Sequence, residues 1–186
     1  QAHVTGSSLR RNDSVLCLLG ATKDEMGGSV FARLHGISGA QVPQTDCAKN
    51  LATYRKFHAA RCSGLILSAH DVSEGGLITS LAEMGFSGKG GLEVDLYAIS
   101  SETPAVSLFS ESTGRILIEV APDNVAALQA ALEGESFAII GKASATHSDL
   151  VIRQQGTELM RQALPELKAT WQHRLAEFYC GVIKRE

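Results

Sequence analysis

Short apolar runs alternate with amphipathic segments along the chain, and no segment repeats another. Ser14–Leu19 is an apolar run closed by Gly20, a pattern that predicts a buried strand. Leu92–Leu96 alternates apolar and acidic residues, which is the period of a half-buried strand. Apolar runs predict further strands at 65–67, 115–120, 137–140 and 150–153.

Helical stripes fill the intervals between these strands. The Gly27-Gly28-Ser29 turn predicts the start of a helix that runs through about Leu34, and Asp46 predicts the N-cap of a second helix. Ser73 is placed to cap a third helix. The apolar positions that predict the buried faces of the second and third helices are Cys47, Leu51, Tyr54, Leu77, Ile78, Leu81 and Ala82.

Two more helices are predicted in the last third of the chain. Pro122 stands at the first turn of one of them, where its missing N–H costs nothing. Pro165 indicates that the other begins near Leu164. The apolar stripes that support these helices are Val125, Leu128 and Leu132 in the first, and Met160, Leu164, Leu167, Trp171, Leu175 and Phe178 in the second.

This alternation predicts the α/β (α+β) class, as a single layered domain with a mixed sheet covered by helices. Crossover connections favour some parallel neighbours, whereas the close spacing of the strands at 137–140 and 150–153 predicts an antiparallel pair. We predict a lead-in segment at residues 1–13, a domain at 14–155 and a terminal helical extension at 156–186.

Composition and charge exclude several classes of protein. The chain is 44% apolar and 20% charged, which is typical of globular domains and not of disorder. Its net charge of -3 and the lack of a basic stripe argue against nucleic-acid binding. No apolar run reaches the roughly 20 residues of a membrane span. No signal peptide is seen either, and the start at Gln1 favours a piece of a longer protein.

The 4 cysteines contain no Cys-x-x-Cys pair. They predict buried free thiols, among them Cys17 in its apolar run and Cys47 on its helix face, and they lack the spacing of a zinc site. Free thiols favour a reducing, cytoplasmic compartment.

The first cluster of candidate chemistry is the turn at Gly27, Gly28 and Ser29, which follows a strand and begins a helix. Glycine lets the backbone approach a ligand, and unpaired amides at a helix start favour an anion. The cluster therefore predicts a phosphate-binding turn. The alternative is that the glycines only permit a tight turn.

The second cluster repeats this design with Asp71, Ser73, Glu74, Gly75 and Gly76. Carboxylates and a phosphate repel each other unless a cation, an N–H or a hydroxyl lies between them. A magnesium nucleotide or an amine-bearing phosphoribosyl ligand meets that need. The alternative is that Asp71 and Ser73 serve as helix caps, a role that is compatible with binding.

The neighbouring His70 is more typical of a packed, hydrogen-bonded histidine than of a catalyst.

The third cluster holds Glu111, Ser112 and Arg115 at the entrance to a strand. Its spacing allows a structural ion pair between Glu111 and Arg115, and it equally allows Arg115 to grip a phosphate or carboxylate with two hydrogen bonds.

In their order along the chain, the three clusters resemble the C-terminal domain of the aminoimidazole-ribonucleotide synthetase superfamily. Within it, the chain is most similar to the phosphoribosylformylglycinamidine synthases. The most specific parts are the runs His70–Leu77 and Phe109–Arg115, and the resemblance covers roughly residues 12–155.

This resemblance implies ATP-dependent conversion of formylglycinamide ribonucleotide and glutamine-derived ammonia to the amidine, in purine biosynthesis. It implies that ATP and Mg²⁺ are bound mainly by an N-terminal domain that this chain lacks, with a glutaminase domain or subunit as a further partner. It assigns no catalytic or metal-ligating residue here. The residues to which it assigns substrate or phosphate binding are Gly27, Gly28, Ser29, Asp71, Ser73, Gly75, Gly76, Glu111, Ser112 and Arg115.

Several alternatives stay open at this point. By itself the domain is expected to lack turnover, and the resemblance leaves open whether it is the active or the auxiliary half of such an enzyme. A different enzyme of the superfamily is the second hypothesis: aminoimidazole-ribonucleotide synthetase, selenophosphate synthetase, thiamine-phosphate kinase or the hydrogenase-maturation dehydratase. A non-catalytic structural domain is the third.

Overall fold

The computed structural model describes residues 4–86, 90–99 and 103–183, with side chains through His173. In this part of the chain seven strands and six α-helices follow one another, and no helix is long and apolar enough to cross a lipid bilayer. The elements are β1 (Val15–Leu19), α1 (Val30–His35), α2 (Cys47–Cys62), β2 (Ser68–Asp71), α3 (Gly76–Gly85), β3 (Gly91–Asp95), α4 (Pro104–Phe109), β4 (Ile116–Val120), α5 (Val125–Ala131), β5 (Phe137–Ser144), β6 (Asp149–Gln154), β7 (Thr157–Ala163) and α6 (Leu164–Ile183).

The seven strands form one mixed sheet in the order β2-β4-β1-β5-β3-β6-β7. Strands β3 and β6 are parallel, and the other neighbours are antiparallel. The predicted mixed sheet is confirmed. The predicted antiparallel pair of β5 and β6 is wrong, because β3 lies between them and pairs with both. Leu92 and Val94 of β3 are buried, so this strand takes an interior position that short-range spacing cannot reveal.

Each face of the sheet carries its own apolar core. In β1, Leu16 and Leu18 belong to the core that includes α3 and the start of α6. Cys17 and Leu19 belong to the opposite core, which includes Ala60 of α2 and Leu128 of α5. Because successive side chains of a strand point to opposite faces, a strand covered on both faces is apolar at every position. Burial raises the pKa of the Cys17 thiol to about 12, as expected for the predicted buried free thiol. The prediction of burial is wrong for Cys47 and Cys62, whose free thiols belong to exposed residues.

Helix α2 packs through a face that its sequence does not indicate. The predicted stripe is wrong, since Leu51 is 51% exposed, Tyr54 is 43% exposed and Cys47 is also exposed. The buried residues of α2 are Thr53 and Ala60. Small residues let the helix approach the sheet closely, and the Thr53 hydroxyl donates a hydrogen bond of 2.6 Å to the Glu135 carboxylate.

Strand β2 begins later than predicted. The apolar residues 65–67 approach the sheet, and the Leu67 amide already donates to the Glu119 carbonyl, but the ladder with β4 runs from Ser68 to Asp71. A strand at the sheet edge needs less apolar surface than an interior strand. Because residues 68–71 of β2 are mostly polar, the apolar pattern did not indicate this strand.

The end of the chain adds a strand before its helix. Residues 157–163 form β7, which pairs with β6, so the helical prediction for Met160 is wrong. Helix α6 does begin at Leu164, as Pro165 predicts. The side chains of Leu175 and Phe178 and the Cys180 thiol lie outside the described residues. The domain boundary after residue 155 stays a prediction.

A buried carboxylate on β4 anchors the lead-in segment to the sheet. Glu119 is 0% exposed. It accepts hydrogen bonds from the amides of Arg10 and Arg11 and from the hydroxyls of Ser14 and Ser68, at 2.6 to 3.0 Å. One side chain thereby joins the lead-in, β2 and β4.

Candidate functional site

The structure brings the three predicted clusters together at one place. Glu111 Oε1 accepts a hydrogen bond of 2.8 Å from the Val30 amide, at the start of α1, and one of 2.9 Å from the Gly75 amide, at the start of α3. The loop that carries Glu111 therefore lies between the two glycine turns. The aromatic rings of Phe31 and Phe109 stack beside it, with centroids 4.7 Å apart.

In the first glycine turn, one residue is exposed to solvent and the other two are buried. Ser29 is buried and is the N-cap of α1, where its hydroxyl donates to the Met26 carbonyl and accepts from the Ala32 amide. A side chain at Gly27 would stand 2.3 Å from the Ala40 carbonyl oxygen. Gly28 is exposed, with open space around the position of a Cβ. Of the three predicted binding residues, only Gly28 faces outward.

The second turn reaches its helix without a side-chain cap. The prediction that Asp71 and Ser73 cap α3 is wrong, because the N-cap is Gly75, with φ of 79°. Ser73 contributes its carbonyl, which accepts from the Gly76 amide. Two consecutive glycines with positive φ turn the chain into the helix directly, so no capping hydroxyl is needed. Asp71 ends β2, and its side chain is 79% exposed.

Gly76 is closed by the third loop. A Cβ there would stand 2.5 Å from the Leu108 carbonyl oxygen and 2.8 Å from both the Phe109 Cα and the Ser110 carbonyl oxygen. Only a residue without a side chain lets the turn and this loop approach so closely.

Alanine substitutions of Gly76 and Gly28 separate packing from backbone strain. Both glycines have positive φ, 73° and 75°. We expect Gly76→Ala to lower the free energy of unfolding by about 2–3 kcal/mol, since the new methyl group meets backbone atoms, and Gly28→Ala to lower it by about 1 kcal/mol through φ alone. Urea unfolding measures both values. Equal losses would contradict the close approach at Gly76.

Arg115 holds the third loop instead of facing a ligand. It is 1% exposed, and its guanidinium donates to the carbonyls of Ser110 and Ser112 and to the Thr22 hydroxyl. It forms no ion pair with Glu111, so that prediction is wrong. Three of its five N–H groups are used inside the fold, and its predicted two-pronged grip on a ligand stays a prediction. Burial lowers the pKa of Arg115 to about 10, against the opposing effect of the charges of Glu25 and Glu111.

Ser110 and Ser112 connect this loop to the first turn. Ser112 is 1% exposed, and its hydroxyl accepts from the Lys23 amide. The Ser110 hydroxyl donates to the Lys23 carbonyl at 2.7 Å. Ser112 therefore shapes the site from within and does not face outward as a ligand contact.

Glu25 is a buried carboxylate that the sequence analysis missed. Its Oε1 accepts from the Gln44 amide at 3.0 Å, and its Oε2 has no hydrogen-bond partner among the described residues. Burial alone raises the pKa of Glu25, but the Ser112 hydroxyl, the Gln44 amide and the Lys23 charge outweigh it, so the pKa lies below its ordinary value. Glu25 lies in a polar turn, where a carboxylate is normally solvated. The sequence pattern therefore does not indicate that its side chain is buried.

His70 is packed, as its sequence context favours. Its Nε2 lies 3.1 Å from the Glu83 carboxylate, and its Nδ1 lies 2.7 Å from the Asp71 carbonyl oxygen. Both ring nitrogens therefore have partners within the fold.

The described residues do not by themselves offer a metal site, since no three His, Cys, Asp or Glu side chains among them are grouped to hold an ion. A cavity of about 790 Å³ lies away from the glycine turns. It is lined by residues of β3, β5 and β6, among them Ile139, and by Tyr97. We place the candidate site at the turns because the three sequence clusters meet there.

The chain matches known proteins at the level of a family and of individual relatives. Residues 11–153 match the family model described as AIR synthase related protein, C-terminal domain. Subunit PurL of phosphoribosylformylglycinamidine synthase from Moorella thermoacetica is 37% identical over 174 residues, covering 91% of this chain and 23% of that protein. The same subunit from Thermococcus gammatolerans is 38% identical over 155 residues, covering 82% and 21%. The chain thus spans less than a quarter of the length of these relatives.

Solved structures share the fold. Thermotoga maritima PurL complexed with FGAR has a TM-score of 0.79 at 18% identity, covering 90% of this chain and 30% of that one. The same protein complexed with ATP has a TM-score of 0.71 at 17% identity, covering 89% and 27%. Hydrogenase maturation protein HypE in complex with ATP has a TM-score of 0.60 at 16% identity, covering 87% and 54%.

Proposed function

The chain belongs to the family of AIR synthase related proteins, C-terminal domain, and on that premise we propose that it is one domain of a phosphoribosylformylglycinamidine synthase. The whole enzyme would convert formylglycinamide ribonucleotide and ammonia to the amidine at the expense of ATP. The observation that carries the proposal is the meeting of both glycine turns at Glu111, in a chain 37% identical to such a synthase over 91% of its length.

The residues of this chain divide into two groups in the proposed site. The accessible group would contact the phosphorylated substrate with backbone amides and polar side chains: Gly28, Asp71, Ser73 and Glu111. Gly75 is half-buried and its amide already donates to Glu111, so it would orient that carboxylate. The enclosed group would fix the shape of the turns: Gly27, Ser29, Gly76, Ser112 and Arg115.

ATP and Mg²⁺ would be held mainly by an N-terminal domain of the same enzyme, as the resemblance to these synthases implies. When bound, ATP would supply the phosphoryl group that activates the amide oxygen toward ammonia. A glutaminase domain or subunit would supply the ammonia. The enzyme would act in the cytoplasm. The isolated chain would have no turnover of its own.

Two other functions have an observation in their favour. A domain of another superfamily enzyme is supported by the fold shared with HypE, although that match has a lower TM-score than the PurL matches. A non-catalytic structural domain is supported by the internal hydrogen bonds of Arg115 and Ser112.

Reconstitution tests the proposed function. Amidine formation is measured with this chain, ATP and ammonia, first alone and then together with the remaining domains of the enzyme. We expect activity only in the combined sample. Product that differs from the amidine, or no product from the combined sample, would reject the synthase assignment.

The variant Asp71→Ala tests the site in the same assay. We expect it to lower kcat/KM at least about tenfold, since an exposed carboxylate that binds substrate donors contributes roughly 1.5–3 kcal/mol. Asp123→Ala removes the same charge at another exposed position and serves as the control. Equal activity of the two variants would show that Asp71 is not a site residue.

A further inference from the structure

A thiol, an imidazole and a guanidinium meet at the last turn of α2, outside the candidate site. Cys62 ends this helix and is exposed. Residues four apart share a helix face, and the His58 Nε2 lies 3.5 Å from the Cys62 Sγ. The Arg61 guanidinium lies 3.5 Å from the same sulfur and 3.4 Å from the His58 Nδ1. The exposed sulfur therefore has nitrogen atoms of two side chains beside it.

The hydrogens of this cluster are directed at the sulfur. An arginine side chain only donates, so its contact with His58 makes the ring Nδ1 the acceptor. A neutral imidazole then carries its hydrogen on Nε2, the nitrogen that faces the Cys62 Sγ. Arg61 directs a second N–H at the same atom. Two donors on one sulfur stabilise the negative charge that the sulfur carries when it acts as a nucleophile.

The charge of Arg61 is not neutralised by a neighbouring carboxylate. Its side chain contacts His58 and Cys62, and no acidic side chain among the described residues forms an ion pair with it. Arg61 also lines a cavity of about 470 Å³, which Phe57 and the exposed Asp71 line as well. A group attached to the neighbouring sulfur therefore has space beside a cation, and a negatively charged group is favoured there.

We propose that Cys62 is a modification site for anionic disulfides, and that His58 and Arg61 activate its thiol. The Cys62 sulfur attacks one sulfur of the reagent, so a new S–S bond forms while the S–S bond of the reagent breaks. The thiol proton passes to solvent, and the departing sulfur leaves as a thiolate with the electron pair of the broken bond. The disulfide itself is the oxidant, and Cys62 is oxidised. The glycine turns take no part, so this proposal is independent of the proposed function.

The test measures disulfide exchange on the 186-residue chain with two aliphatic probes of opposite charge. These are the dianion 3,3′-dithiodipropionate and the dication cystamine, and peptide mapping by mass spectrometry gives the rate at each cysteine separately. The rate ratio of dianion to dication at free N-acetylcysteine amide gives the intrinsic reactivity of the probes. At low salt we expect this ratio to be about threefold higher at Cys62, a modest factor typical of exposed charges. A ratio equal to that of the free thiol would overturn the proposal.

The variant Arg61→Gln tests the charge. Glutamine can still donate a hydrogen bond but carries no positive charge. We expect the rate ratio at Cys62 to fall to that of the free thiol. Arg55→Gln removes a cation from the exposed surface of the same helix and should leave the ratio as it is in the unsubstituted chain. A preference for the dianion that persists in Arg61→Gln would mean that Arg61 does not select the reagent.

The variant His58→Ala tests the second donor. We expect exchange at Cys62 to slow about threefold with both probes, because one of the two donors on the sulfur is lost. Cys47 is exposed at the other end of α2 and serves as an internal control, whose rate should stay the same. Unchanged circular dichroism verifies that the helix is intact. If Cys62 reacts equally fast in His58→Ala and in the unsubstituted chain, its thiol is not activated by this cluster.

Discussion

Replacing Glu119 with alanine is expected to lower the free energy of unfolding by roughly 3–5 kcal/mol. Four donors converge on this fully buried carboxylate, from Arg10, Arg11, Ser14 and Ser68. Removing the shared acceptor takes this partner from the two amides and from the Ser68 hydroxyl, whereas the Ser14 hydroxyl can still donate to the Arg11 carbonyl. Each buried unpaired donor costs about 1–3 kcal/mol before relaxation. Urea unfolding of the 186-residue chain measures the loss.

Two further measurements define the cause. Glu133→Ala changes an exposed glutamate and should alter stability by less than about 0.5 kcal/mol. In Glu119→Ala, the amides of Arg10 and Arg11 should exchange with solvent faster than those of β1, because the lead-in detaches first. A loss below about 1 kcal/mol would mean that water satisfies these donors and that Glu119 is not an anchor.

Replacing Arg115 with lysine is expected to cost about 3 kcal/mol, although the charge is kept. The guanidinium donates in three directions, to Ser110, Ser112 and Thr22, and a single ammonium group cannot reproduce that fork. The compact ammonium is also harder to desolvate. Thermal and urea unfolding measure the effect, and Arg55→Lys on the exposed surface of α2 is the matched control.

This prediction also decides between a structural and a ligand-binding role for Arg115. An arginine that only grips a ligand would lose affinity on substitution while the empty protein kept its stability. We expect the reverse order here: stability falls in the absence of any ligand. An Arg115→Lys chain as stable as the Arg55→Lys control would contradict the buried role.

The local pattern of apolar residues was sufficient to predict several elements of the fold. β1, β3 and the starts of α2 and α6 were found because their signals lie within the element itself: an apolar run, a strict alternation or a capping residue. Pro122 begins a 3-10 turn, and α5 follows it at Val125. The mixed sheet followed from their alternation. These features depend on neighbours in the chain, which a single sequence contains in full.

Features that depend on distant residues were not predictable. The apolar residues Leu51 and Tyr54 of α2 point outward because the close packing of Ala60 and Thr53 sets the orientation of the helix. The pairing of β6 depends on β3, which enters the sheet about 60 residues earlier. The spacing of residues along the chain indicates neither the orientation of α2 nor the pairing of β6 with β3.

The candidate site shows the same division. The order of the glycine turns and the Glu111 loop indicated that they act together, and the structure brings them into contact. Which side chains face inward depended on residues far away, such as Thr22 for Arg115 and Lys23 for Ser112. Charge and spacing were equally compatible with a ligand contact and with an internal hydrogen bond.

The place of β1 in the sheet has a consequence for biosynthesis. Its two neighbours are β4 and β5, and Val15 pairs with Val120 and Lys142. β1 can therefore form hydrogen bonds on both of its edges only when both later strands are present. A nascent chain that has released only its first hundred residues has an apolar segment with no partner. The first strand can therefore form its ladder with β5 only after residues through Lys142 have been synthesised, and ribosome pauses before that point would favour capture of the apolar segment by chaperones.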